Sequence, residues 1–221
     1  MSRNAVFALV AVAVIAAAAL AWHIVGRTGA TPAIAADVKG NNYTITPDDM
    51  TLGDPKAKVV LIEYAAPRCP HCAHFNEATF PQLKANYIDT GKVLYVFRVL
   101  PLGAGDGVAE KLARCLPRDK YFPFMDRLFR NQREWDDEYG VTDVRGGLLK
   151  QTSAFGMSEA QFDACLADTK RDAIINRVAQ DGVDRYGINS TPSIVINGVL
   201  APNAAEYAQL KVALDAALAG K

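Results

Sequence analysis

Val59-Val-Leu-Ile-Glu-Tyr64, Ala65-Ala-Pro-Arg68, Cys69-Pro-His-Cys72: this stretch decides the architecture. Apart from Glu63 its first six residues are an apolar run that includes the β-branched Val59, Val60 and Ile62, and turn signals follow, so they read as a buried strand. A helix begins at once. Pro70 suits a first helical position, which makes Cys69 the N-cap and places Cys72 one turn later. Residues three apart on a helix are neighbours, so the two sulfurs can bond without backbone movement. The free N–H groups and dipole of a helix start favour a thiolate at Cys69. His71, when protonated, adds positive charge beside it, and Arg68 is a second source. Such a thiolate attacks and leaves readily in disulfide exchange, and stabilising it makes the disulfide more oxidising.

Outward from this motif the helix runs to about Asp89, with a kink expected at Pro81, which lacks an N–H and crowds the preceding turn. Gly91 ends the unit. Val93 to Leu100 (VLYVFRVL) is a second buried strand, so strand, helix and strand form a right-handed crossover with a parallel pair. On the N-terminal side, Tyr43-Thr44-Ile45 reads as a short edge strand. Beyond Gly103 the pattern changes to 3–4 spacing. Val108, Leu112 and Cys115 share one face. Tyr121, Phe124, Met125, Leu128 and Phe129 mark a second helix, more a core than a binding surface. Leu148 and Leu149 belong to a third, ending near Gly156. Ser158 with Gln161 makes a capping box ahead of Phe162 and Cys165. Ile174, Ile175, Val178 and Val183 mark a last helix ending at Gly187. Strand character returns at Ser193–Ile196, Asn197-Gly198 is a strong hairpin signal, and Val199-Leu200 starts the returning strand. Residues 204–219 form a closing helix. The expected organisation is α/β: residues 37–102 and 187–221 form one domain (β-α-β, then β-β-α), and 103–186 form an all-helical insertion within it.

Three further signals carry chemistry. Glu63 is a carboxylate inside an apolar strand, costly to bury without a role. Near Cys72 it can take up or relay that thiol's proton; the bland alternative is a solvent-facing position on a half-exposed strand. Thr191-Pro192 directly precedes a strand. A cis peptide there exposes the Thr191 backbone beside the cysteines, where an extended segment of substrate can pair with it; a trans proline opening the strand is the alternative. Cys115 and Cys165 lie on apolar helix faces, favouring a structural disulfide over two buried thiols. A zinc site needs four ligands, and His71, His74, Cys115 and Cys165 offer no second pair of matching spacing, so no metal and no cofactor are expected.

The chain has 221 residues, half of them hydrophobic, with 24 basic and 24 acidic residues and no charged run. That suits one domain with a sizeable core and gives no sign of nucleic-acid binding. Residues 1–36 read as a targeting segment. Arg3 precedes an uncharged apolar stretch from Asn4 to Gly26. Its length suits a membrane anchor, while Ala33-Ile34-Ala35 supplies a cleavage site for a signal peptide. Either outcome exports the remainder.

At VVLIEY, Cys-Pro-His-Cys, the Pro81 helix, the helical insertion and Thr191-Pro192, the chain resembles the DsbA-like thiol:disulfide oxidoreductases, periplasmic dithiol oxidants of the thioredoxin fold. The resemblance covers Asn42 to the C-terminus. It implies that Cys69 is the exposed nucleophile, Cys72 the buried resolving thiol, Glu63 the buried acid and Pro192 the cis proline, with Pro70 and His71 completing the motif. It implies reduced, unfolded exported proteins as substrates and a quinone-linked membrane protein as reoxidant. The Cys115/Cys165 pair is similar to that of alpha-proteobacterial relatives. Thr191 before the proline is more typical of isomerase and reductase branches, but the segment preceding the fold is too short for an isomerase's dimerisation domain. A monomeric oxidase is therefore expected, with isomerase or reductase as the alternative. A peptide-binding module with an incidental disulfide is a further rival, and it would work unchanged with both active-site cysteines replaced by Ser.

Overall fold

The computed structural model describes residues 43–220. The targeting segment expected at 1–36 lies outside them; among the described residues no helix is long and apolar enough to cross a membrane.

Five strands make one mixed sheet: β1 (Met50–Leu52), β2 (Val59–Ala65), β3 (Val93–Val99), β4 (Ser193–Ile196) and β5 (Val199–Leu200), in spatial order β1-β3-β2-β4-β5. β2 and β3 are parallel, and the other neighbours are antiparallel. Every residue of β2 and β3 is buried, as expected of central strands covered on both faces. Asn197 and Gly198 join β4 to β5 with positive φ at both positions (49° and 81°), the conformation a two-residue hairpin requires.

The edge strand differs from expectation. Tyr43 and Ile45 are buried but lie outside the sheet, and the edge is Met50–Leu52. The Thr46 N–H donates to the Asp49 carboxylate (2.7 Å) and the Asp49 N–H to the Thr46 carbonyl (3.0 Å). This closes a turn around Pro47, and the chain joins β3 only after it. The helix after the cysteines also differs. α1 (Pro70–His74) passes into a π-helical turn at Phe75–Thr79, then α2 (Phe80–Leu83), then a second π turn at Lys84–Ile88. The Phe80 N–H bonds to the Phe75 carbonyl, so the ladder changes register just before Pro81, where an N–H is missing.

Between β3 and β4 the described structure is helical: α3 (Ala104–Cys115), α4 (Tyr121–Arg130), α5 (Gln132–Trp135), α6 (Val144–Ser153), α7 (Glu159–Leu166) and α8 (Thr169–Tyr186), with 3-10 turns at Arg118–Lys120 and Asp137–Tyr139. The Ser158–Gln161 capping box starts α7, and Gly187 ends α8 in the left-handed conformation. Tyr121, Phe124, Met125, Leu128 and Phe129 bury one face of α4. α8 packs on the sheet so closely that a Cβ at Gly182 would lie 2.4 Å from the Tyr64 ring. Arg98, buried in β3, is neutralised there by Asp49 (2.8 Å) and Asp181 (3.1 Å) and donates to the Tyr64 hydroxyl (2.8 Å). α9 (Tyr207–Leu218) closes the chain.

Candidate active site

The sheet delivers β2 to the start of α1, and Cys69 and Cys72 stand there as thiols. Cys69 is the N-cap in extended conformation; its carbonyl accepts from the Ala73 N–H (3.1 Å) and its own N–H donates to the Ala66 carbonyl (3.0 Å). Cys69 keeps 7% of its surface, Cys72 none, and Pro70 and His71 are exposed. The two thiols differ sharply in acidity. Cys69 is lowered from 9.0 to about 5, first by the hydrogen bond from the Cys72 thiol, against the effect of its own burial, and then by the Thr191 side chain and the N–H groups of Cys72 and His71. Cys72 is pushed far above the ordinary thiol range by burial, by the hydrogen bond it gives to Cys69, and by the negative charge of Cys69 and Glu63.

Glu63 lies beneath this pair, 2% exposed, with its carboxylate accepting from the Tyr95 hydroxyl (2.6 Å). Burial raises it to about 8, with the Tyr95 hydrogen bond opposing and the Cys69 charge adding to the rise. A cavity of about 30 Å³, lined in part by Glu63, Tyr95, Asn76 and Asp126, adjoins it. That is room enough for one water. The Thr191–Pro192 peptide is cis, and the Cys69 thiol donates to the Thr191 carbonyl at 3.5 Å. Two thiols of unequal acidity, a buried carboxyl group and the Thr191 carbonyl are thus brought together from β2, α1 and the segment leading into β4.

Arg68 does not serve the thiolate. Its guanidinium is held by Asp136 (2.6 Å), Asp137 and Glu138 (3.3 Å), so its charge is spent on that acidic group. Those partners lie 68–70 positions downstream, beyond any local pattern. Four side chains that no sequence motif singled out also serve the site. Tyr95 orients Glu63. The Asp106 carboxylate accepts the Arg68 N–H (2.9 Å). Asp136 takes the Arg68 side chain. Gln132 donates to the carbonyls of Pro67 (2.9 Å) and Cys69 (3.1 Å). Only Tyr95 had a usable signal: two residues before Phe97, which is in register with Glu63, it shares that residue's face of the sheet.

Cys115, the last residue of α3, and Cys165 in α7 form a disulfide (S–S 2.06 Å), away from the thiol pair. Among the described residues no group of three or more His, Cys, Asp or Glu is placed to hold a metal ion.

The thioredoxin family model matches residues 45–216. A putative protein-disulfide oxidoreductase of Rickettsia bellii is 32% identical over 163 residues, covering 73% of this chain and 61% of the relative; the chain thus spans less than two thirds of that protein's length. Disulfide bond formation protein D of Bacillus subtilis is 27% identical over 177 residues, covering 77% of each chain. Among solved structures, alpha-DsbA1 of Wolbachia pipientis superposes with a TM-score of 0.72 at 30% identity, over 80% of this chain and 94% of that one.

Proposed function

The chain belongs to the thioredoxin family, in its DsbA-like branch, and from that premise we propose that it is a periplasmic thiol:disulfide oxidoreductase that introduces disulfides into folding exported proteins. The observation that carries this is the pairing of two thiols of opposite acidity at one helix start, Cys69 lowered to about 5 and Cys72 raised.

In the oxidised enzyme the pair is a disulfide. A client thiolate attacks Cys69 Sγ, the bond to Cys72 breaks, and Cys72 departs as a thiolate. Its high proton affinity draws a proton from Glu63, which is still protonated near neutrality and recovers a proton from solvent through the adjoining cavity. The client is now joined to Cys69 and lies extended along the Thr191 backbone. A second client thiolate attacks the client's own sulfur, and Cys69 leaves as the stabilised thiolate. The client gains a disulfide, and its two electrons remain on the protein as the thiolate of Cys69 and thiol of Cys72. A quinone-linked membrane reoxidase removes them. Pro70 and His71 shape the start of α1, and the Cys115–Cys165 bond is structural.

In this reading residues 1–36 export or anchor the chain, 37–102 and 187–221 form the thioredoxin domain of a monomer, and 103–186 form its helical insertion. The experiment is direct. Oxidised protein is mixed with a reduced, unfolded client, and the Cys69–Cys72 couple is equilibrated against glutathione. Client oxidation, with a couple well above that of thioredoxin, is expected. A strongly reducing couple would make the chain a reductase, and client binding that survives replacement of both cysteines by Ser would make it a peptide-binding module.

A further inference from the structure

We propose that Gln132 is a positioning residue for the nucleophile, holding the backbone of Cys69 so that its sulfur sits where its hydrogen-bond donors converge. The proposal rests on the exchange reading above and adds to it a device carried by the helical insertion.

The loop 66–69 has few backbone groups left to local structure. The Cys69 N–H is used within the loop, on the Ala66 carbonyl. Pro67 has no N–H. The Ala66 N–H is directed at Cys72. The insertion serves the Arg68 N–H, through Asp106 in α3, and the carbonyls of Pro67 and Cys69, through the two hydrogens of one amide, Gln132 Nε2 in α5; the Cys69 carbonyl also accepts the Ala73 N–H of α1. Gln132 is 5% exposed, and a buried amide is costly unless its hydrogen bonds are made. Here they are made. Its Oε1 accepts from the Tyr139 hydroxyl at 3.2 Å, and Arg133 lies 4.9 Å over the Tyr139 ring. The orientation of the amide is determinate, since a flip would set Oε1 against two carbonyl oxygens.

The consequence for chemistry follows from where Cys69 finds its donors. The Cys72 thiol and the N–H groups of residues 71 and 72 lie on α1, and the Thr191 side chain lies across the groove. Each acts at short range, so small shifts of the Cys69 backbone weaken several at once. Charged and titratable groups facing the sulfur are Cys72 on α1 and Glu63 on β2; His71 reaches it by its backbone N–H, and Arg68 is held by its three acids. Gln132 is neutral. Its removal therefore acts on the thiolate by position and not by charge.

The test is the thiolate titration of the reduced full-length protein, read by ultraviolet absorbance, together with its equilibrium against glutathione. Gln132→Met keeps the volume and removes both donors. It is expected to raise the Cys69 midpoint by about one pH unit and to shift the glutathione equilibrium about tenfold toward the disulfide form. Phe162→Leu, in the buried part of α7 and away from the loop, is the control: it lowers thermal stability and leaves the midpoint in place. A Gln132→Met protein that melts lower but titrates like the parent overturns the proposal and leaves Gln132 a structural residue. If Gln132→Met does not fold, Tyr139→Phe decides, because it keeps Gln132 and only frees its amide. A midpoint raised about two- to threefold in acidity constant supports positioning, and an unmoved one overturns it. A parent protein whose Cys69 titrates as an ordinary thiol removes the exchange reading itself, before any variant is made.

Discussion

Cys69 and Cys72 lie three positions apart at a helix start and stand as thiols, whereas Cys115 and Cys165 lie 50 positions apart, in two different helices, and are bonded. The element is the same, and the surroundings separate the roles. Around the first pair hydrogen-bond donors converge on one sulfur, burial isolates the other, and a carboxyl group lies below to exchange a proton. The second pair joins the end of α3 to α7 and spans most of the helical insertion. A redox centre thus needs two thiols with unequal affinity for a proton, and a staple needs only a long loop to close.

The largest test of this contrast removes each sulfur of the first pair. Cys69→Ser should abolish exchange, because a hydroxyl does not replace the thiolate as nucleophile or leaving group. Cys72→Ser should accumulate mixed disulfides with clients, visible as adducts on non-reducing gels. In the reduced parent, alkylation should reach Cys69 well before Cys72, and preferential labelling of Cys72 would reverse the two roles.

The second pair should respond in the opposite sense. Closing a loop of 50 residues contributes about 4 kcal/mol by the chain-entropy argument, and less where denatured-state structure intervenes. Replacing both Cys115 and Cys165 by Ser should therefore lower the melting temperature by up to about 8–16 °C while exchange at Cys69 continues. A double variant that stays folded yet loses exchange would show that the staple reaches the active site, and the division between the pairs would fail.

The first pair was far more legible in the sequence than its setting. Strand, cysteines and helix are consecutive, so composition and local stereochemistry place Cys69 at an N-cap, and a hydrophobic run flags Glu63 as an anomaly. The Thr191–Pro192 step was readable because a strand follows it at once. What escaped depends on contacts remote in the chain. The three acids that occupy Arg68 and the amide of Gln132 come from residues 132–138, a stretch with neither period 2 nor period 3.6. The edge strand was misplaced because three residues leave too short a pattern, and Tyr43 and Ile45 are buried without joining the sheet. At Pro81 the sequence flags a disturbance of the helix but not its form, a π turn at Phe75–Thr79 that shifts the register of the ladder just before the missing donor.

A third test uses pH. In the reduced protein Cys69 is lowered from 9.0 to about 5 by folding. Its contribution to stability is present in full above pH 9 and is lost as pH falls through about 5. Glu63 is raised from 4.5 to about 8, so its contribution is present in full below pH 4.5 and is lost as pH rises through about 8. Between pH 5 and 8 the two oppose each other, and the reduced protein should show a shallow profile in denaturant titrations. Oxidation silences Cys69 and leaves the Glu63 arm, so the oxidised protein should lose stability as pH rises across that window. Glu63→Gln removes this arm. The reduced variant should then gain stability steadily toward pH 9, and the oxidised variant should be flat. The Cys115–Cys165 disulfide does not titrate, and its loss should shift the curves without changing their shape.

The smallest expected effect is that of His71→Ala, and it tests what makes the first pair acidic. The residue reaches Cys69 through its backbone N–H, which alanine retains, and it is exposed to solvent. The leading causes of the lowered value are the Cys72 hydrogen bond and the Thr191 side chain, both untouched by the change. An exposed imidazolium acts on the thiolate through water and is screened by salt, over about 10 Å at 0.1 M and about 3 Å at 1 M. The variant should therefore raise the Cys69 midpoint by less than about half a unit at low salt, and the difference should shrink toward zero near 1 M. Cys72→Ala, which removes the leading donor, should raise it by much more. A rise of two units or more in His71→Ala, undiminished by salt, would place the imidazole charge and not the hydrogen bonds at the origin of the acidity. The contrast between the two cysteine pairs would then rest on one side chain instead of on the convergence of α1 and the Thr191 strand.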